Sequence, residues 1–197
     1  MHIITVAGML GSGKTSVILK LIEPMIAAHV KVAVIENDFG ELGVDSEVLE
    51  KNGMPVRDLK GGCICCTLQS GLVDSLRMLE STYDPEYVIV EPTGIADPEM
   101  VVKAVTDVDG VHITAKTTLI VVDCERFKKF RKMFERPLKN QLRTATVALL
   151  NKVDTVSADD IAEIREGLKT FGYEGPCLEI RGDNGQGMDA VVEVIRR

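Results

Sequence analysis

Gly8-Met9-Leu10-Gly11-Ser12-Gly13-Lys14-Thr15 follows the apolar run Ile3–Ala7 and opens a helical pattern that continues to His29. The spacing G-x-x-x-x-G-K-[ST], set between a strand and a helix, is that of a phosphate-binding loop. Its glycines let backbone N–H groups turn inward around a β-phosphate where side chains would block the approach. Lys14 would lie near the β/γ oxygens, the Thr15 hydroxyl would complete a Mg²⁺ shell, and Gly8, Gly11, Ser12, Gly13 and Ser16 complete the candidate phosphate contacts. The start of the helix adds partial positive charge at the same place.

Outward from this loop, short β-branched runs alternate with longer helical patterns. Strands are expected near Ile3–Ala7, Lys31–Glu36, Tyr87–Glu91, Thr117–Asp123, Thr146–Leu150 and Cys177–Ile180. These runs are almost wholly apolar, as parallel strands covered on both faces are. Helices are expected over Lys14–His29, Thr67–Ser81, Glu99–Thr106, Glu125–Thr144, Ala158–Phe171 and Met188–Arg197; Ser157 with Asp160 starts the fifth and Gly172 closes it. The pattern predicts one α/β domain over residues 1–197, a three-layer P-loop NTPase with a mostly parallel sheet and helices on both faces. Ligands in that architecture sit beyond the carboxyl ends of the strands, where the remaining motifs fall.

Asn151-Lys152-Val153-Asp154 follows the apolar run Val147–Leu150. A carboxylate there accepts both the N1–H and the exocyclic amine of guanine, whereas adenine presents the opposite polarity, so guanine is the expected base. Arg181, in the loop after the last strand, is a further candidate base contact, although a plain Gly/Asn turn reads equally well. Glu91-Pro92-Thr93-Gly94 ends another strand: Glu91 can hold Mg²⁺, and Gly94 can offer its N–H to a γ-phosphate. Asp38, just past the second strand, is the other acid placed for Mg²⁺ or the attacking water. Lys14, Asp38 and Glu91 are therefore the candidate catalytic residues, with GTP, GDP and Mg²⁺ as ligands. No Gln or Arg is obviously placed to speed hydrolysis, so slow intrinsic turnover is expected.

Gly61-Gly62-Cys63-Ile64-Cys65-Cys66 separates this chain from a generic GTPase. Thiolates crowded into four residues can share one borderline-soft cation, and Zn²⁺, Co²⁺ and Ni²⁺ all fit. His2, His29 and His112 lie far away in sequence, which leaves Glu36 and Glu41 as candidate further ligands. Buried apolar thiols account well for Cys124 and Cys177 but poorly for a C-x-C-C run, and a disulfide framework does not suit five cysteines in a chain read as cytoplasmic.

In order, GMLGSGKTS, IENDFGELGVDSEVL, GGCICCTL, EPTGIADP and NKVD resemble the CobW-type GTPases, relatives of the nickel-insertion GTPases UreG and HypB. The resemblance implies a GTP-driven metallochaperone or metal-centre insertion role for a client metalloenzyme, with Cys63, Cys65 and Cys66 as metal ligands. Relatives often dimerise with nucleotide, which implies a nucleotide-dependent homodimer. The sequence ends before the second, C-terminal domain of many members, and Asp38 stands where many carry Glu. One competing reading is a GTPase switch or reactivation chaperone for a cofactor enzyme such as a corrinoid protein, its cysteines structural. Another is a small-molecule kinase, against which NKVD speaks.

Composition narrows the partners. Lys+Arg total 23 against Asp+Glu 30, a net charge of −7, and Trp is absent, which argues against nucleic acid. No apolar run approaches a membrane span and the N-terminus carries no secretory pattern, so a cytoplasmic protein is expected. The basic run in Glu125–Arg143 reads as a solvated helix face, with a docking face for an acidic client as the alternative.

Overall fold

Apolar β-branched runs pair edge to edge to build the sheet, and the computed structural model describes residues 1–36, 56–58, 67–94, 96–106 and 109–196. The strands are β1 (His2–Gly8), β2 (Val32–Glu36), β3 (Val56–Asp58), β4 (Tyr87–Glu91), β5 (Ala115–Asp123), β6 (Val147–Asn151) and β7 (Cys177–Ile180). They form one seven-stranded sheet in the order β3-β2-β4-β1-β5-β6-β7. Every pairing is parallel.

Successive residues of β1 point to opposite faces, as the period of two requires. Ile4 and Val6 pack with α1 (Lys14–Ala27) and α7 (Met188–Arg196) on one side. Ile3 and Ala7 face the other side. That layer holds α2 (Thr67–Thr82), α3 (Glu99–Ala104), α4 (Phe127–Met133), α5 (Glu135–Arg143) and α6 (Ala158–Thr170). The expected three-layer α/β architecture is therefore present, and each of the six expected strands is found.

Two expectations need correction. The sequence reading has no strand between β2 and β4, yet Val56-Arg57-Asp58 adds one at the sheet's edge, paired with β2 alone. Three residues give no readable alternation. The single helix expected over Glu125–Thr144 is two, α4 and α5, broken at Phe134 (φ −129°, ψ 39°). Pro137 explains the break. Its ring would clash with the carbonyl of Met133 in a continuous helix, but it is tolerated in a first turn, where no N–H is needed. The break puts it there.

The start and stop of α6 follow the sequence signals. Ser157 accepts from the Asp160 N–H and Asp160 reaches back to the Ser157 N–H, a reciprocal capping box. At the other end Gly172 adopts φ +83°, and the N–H groups of Gly172 and Tyr173 donate to the carbonyls of Lys169 and Leu168 at 2.8 and 3.2 Å. Ser157→Ala is expected to cost about 1 kcal/mol. In urea titrations it should lower the midpoint and leave the slope unchanged.

Candidate functional site

The carboxyl ends of the strands converge on the loop between β1 and α1. Gly8 is in register with Val121 of β5, Asp123 with Asn151, and Asn151 with Ile180. Gly11, Ser12 and Gly13 lie in the loop, and Lys14, Thr15 and Ser16 form the first turn of α1. Gly13 caps this helix at φ +92° without a side-chain cap, and the first turn holds no acid. Among the described residues the leading N–H groups of α1 thus have no capping side chain and no acid in their own turn, which suits an anion. Ser12 Oγ is buried with no hydrogen-bond partner among the described residues, so the loop holds an orphaned donor as well.

Asn151 ties the NKVD segment into this loop. Its buried Nδ2 donates to the Ser12 carbonyl at 2.8 Å. Its Oδ1 accepts from Lys152 N and Gly182 N, each at 2.9 Å. The amide therefore holds three chain segments at once, and a Cβ on Gly13 would approach Nδ2 to 2.5 Å. Lys152 adopts φ +64°, a left-handed conformation uncommon for a side chain of its kind. Its ammonium donates to Asp123 at 2.8 Å and to the Gly11 carbonyl at 3.3 Å. Two residues on, Asp154 is exposed and lies 3.3 Å from Arg181, which also pairs with Asp183 at 2.8 Å.

Lys14 is buried, 3.8 Å from the Glu91 carboxylate at the end of β4. Glu36 ends β2 in register with Glu91. Its side chain, like Asp38, Glu41, Cys63, Cys65 and Cys66, lies outside the described residues. Among the described residues no three or more of His, Cys, Asp and Glu gather into a metal site.

Residues 2–178 match the family model of the CobW/HypB/UreG nucleotide-binding domain. The chain belongs to the CobW/HypB/UreG family. It is 27% identical to "Zinc chaperone CobW" of Sinorhizobium sp., over 95% of this chain and 60% of that protein. It is 30% identical to "Zinc chaperone YeiR" of Escherichia coli K12, over 78% of this chain and 47% of that protein. The chain thus spans about half to three-fifths of the length of these curated relatives. In fold it is similar to HypB from Helicobacter pylori, crystallised with nickel, at 16% identity and a TM-score of 0.71, covering 98% of this chain and 85% of that one. It is similar likewise to a Zn(II)-bound triple mutant of the YjiA GTPase, at 21% identity and a TM-score of 0.64, over 91% and 57%.

Two residues of this CobW-family chain that the motifs do not reveal belong to the site, and a third lies behind it. Asp123 has a fully buried side chain at the end of β5, where it receives Lys152 and the Arg126 guanidinium, both at 2.7–2.8 Å. Burial opposes its ionisation, but the hydrogen bonds from Lys152 and Arg126 outweigh burial and hold its carboxyl below the ordinary range. Arg126 in turn donates to the carbonyls of Leu10, at 3.1 Å, and Gly11. It therefore clamps the phosphate loop and is not part of a solvated face, which corrects the reading of the basic run at this position. Lys128 pairs with Asp160 and Glu163, and Arg143 with Glu99. Gln141 is the third residue, fully buried on α5.

Asp123 could have been found in the sequence, because it is an acid at a strand end exactly as Glu91 is. Nothing local marks Arg126 or Gln141. Of the other cysteines, Cys124 is buried as expected, and burial, with Asp123 and Glu179 beside it, pushes its thiol up to about 12. Cys177 is only half-buried, and burial raises its thiol too.

Proposed function

We propose that this chain is a GTP-hydrolysing metallochaperone or metal-centre insertion factor, in which a transition metal on the Cys63/Cys65/Cys66 run is coupled to nucleotide state. The observation that carries the nucleotide half is the Asn151 amide, which joins the guanine-reading segment to the phosphate loop through Ser12. A base at Asp154 and phosphates at Gly11–Thr15 would then belong to one ligand. Lys14 supplies charge at the terminal phosphates, the uncapped start of α1 receives the anion, and Gly94 lies against the loop where a γ-phosphate would end. Thr15, Asp38 and Glu91 are the oxygen ligands that would hold Mg²⁺, which when bound neutralises charge on the phosphoryl oxygens.

The metal half rests on the C-x-C-C run and on relatives named zinc chaperones and, in Dictyostelium discoideum, a "Zinc-regulated GTPase metalloprotein activator" at 28% identity. Zn²⁺ is the leading cargo, with Co²⁺ and Ni²⁺ chemically compatible. Glu36 and Glu41 are the candidate additional ligands. The segment holding Asp38 and Glu41 and the segment after Glu91 flank the cysteines in sequence. Metal and γ-phosphate would therefore bias the same chain segments, which is a coupling free energy.

Titration of Zn²⁺, Co²⁺ and Ni²⁺ against a chromophoric chelator, in Mg²⁺ with GTPγS or GDP, tests this. Metal affinity should differ between the two nucleotide states by about tenfold or more and be lost in Cys65→Ser and Cys66→Ser. Equal affinity in both states would end the coupling, since a ligand that binds two states equally shifts neither. No binding at all would leave a GTPase with structural cysteines, and a switch or chaperone for a cofactor enzyme would replace metal delivery.

A further inference from the structure

Gln141 is buried completely, and the GTPase motifs assign it no part. Its Nε2 donates to two carbonyls of a single loop, Gly94 at 3.2 Å and Ala96 at 3.3 Å. Its Oε1 is buried with no hydrogen-bond partner among the described residues. A buried glutamine usually satisfies both ends of its amide, so the unused acceptor asks for an explanation.

The loop it holds touches the phosphate site directly. A Cβ on Gly94 would come within 2.7 Å of the Leu10 nitrogen, so the glycine backbone is packed against the phosphate loop. Contact therefore runs from Leu10 through Gly94 to Gln141 and into α5. That helix is fastened to α3, the element following the same loop, by the Arg143–Glu99 ion pair, and Glu99 also receives Lys103 at 2.8 Å. A glycine has the most backbone freedom to lose, so a restraint on its carbonyl matters more here than at another residue.

We infer that Gln141 is a positioning residue for recognition of the terminal phosphate: it sets the Gly94 loop against the phosphate loop and so favours a nucleoside triphosphate over a diphosphate. The inference rests on the proposed reading that Gly94 meets the γ-phosphate. The amide acts as a two-position latch. With its N–H₂ group on two loop carbonyls it stabilises the arrangement seen here. A shift of the loop that brings an N–H to Oε1 satisfies the orphaned acceptor, so the two arrangements differ in free energy by an amount the nucleotide can tip. GTP and GDP differ only in the group that reaches this loop.

The test measures GTPγS and GDP affinity, both with Mg²⁺, for the unaltered chain, Gln141→Met and Gln141→Glu, with Tm recorded for each. Methionine keeps the volume without the donors, and glutamate replaces the donors with acceptors. The ratio of GTPγS to GDP affinity should fall about tenfold in both variants while GDP affinity is kept. A ratio preserved within about twofold, with only Tm lowered, would reduce Gln141 to a packing residue. A second measurement needs no variant: the Gln141 side-chain amide resonances should shift when GDP is exchanged for GTPγS. Identical resonances in the two states would overturn the latch even if both variants failed to fold. Failure of the unaltered chain to bind GTPγS with Mg²⁺ would overturn the GTPase reading itself, and this inference with it.

Discussion

Asp154→Asn should lower GTP affinity by about two orders of magnitude and let XTP outcompete GTP, with ATP binding weakly throughout. Guanine offers two donors on one edge, N1–H and the 2-amino group, and a carboxylate accepts both. Each hydrogen bond to a charged group is worth about 1.5–3 kcal/mol, so losing one and opposing it with an amide donor gives roughly 10²-fold. Xanthine has an oxygen where guanine has the amine. An asparagine amide matches that edge, accepting from N1–H and donating to O2. Competition against a fluorescent GDP analogue reads the preference directly. Asp154 also lies beside Arg181 in this structure, so a merely structural acid would show itself differently. In that case the variant would keep its order of nucleotides and lose only thermal stability, and guanine reading would have to be moved to another group.

The legible parts of this molecule are those written in neighbouring residues. The strand–loop–helix turn at Gly8–Thr15 declares itself because its glycines, lysine and threonine are contiguous and flanked by an apolar strand run and a helical run. The capping box of α6 is legible for the same reason: Ser157 and Asp160 are three residues apart. Contacts made by folding are not. Arg126 sits among basic neighbours that do face solvent, and only the placement of β5 beside β1 carries its guanidinium to Leu10 and Gly11. Gln141 reaches Gly94 across 47 residues, and no spacing rule connects them. The helix break at Phe134 lay within reach, since Pro137 forbids a continuous helix, but a charge pattern running evenly through the break masks it. Edge strand β3 is too short and too polar to carry a period.

Asp123→Ala should lower stability by about 3 kcal/mol, more than an ordinary surface change, and weaken guanine nucleotide binding as well. The side chain is fully buried while its partners are not: the Lys152 side chain is 31% exposed and that of Arg126 37%. Stranding two cations that can partly rehydrate costs less than stranding them in a dry core, so the low end of the range for a broken buried pair applies. For a chain of this size that corresponds to a fall of about 6–12 °C in Tm. The nucleotide effect follows because Lys152 leaves its φ of +64° most readily once Asp123 no longer holds its ammonium, and Asp154 moves with it. Acid titration separates this explanation from simple packing. The Asp123 carboxyl is held below its ordinary range in the folded chain, so its contribution is present above the unfolded value of about 3.9 and is lost as pH falls through the folded value. The stability gap between wild type and Asp123→Asn, which keeps the shape and removes the charge, should therefore be constant near neutrality and close below about pH 4. No gap between them even near neutrality would mean that the shape of residue 123, and not its charge, holds Lys152 and Arg126 over the phosphate loop.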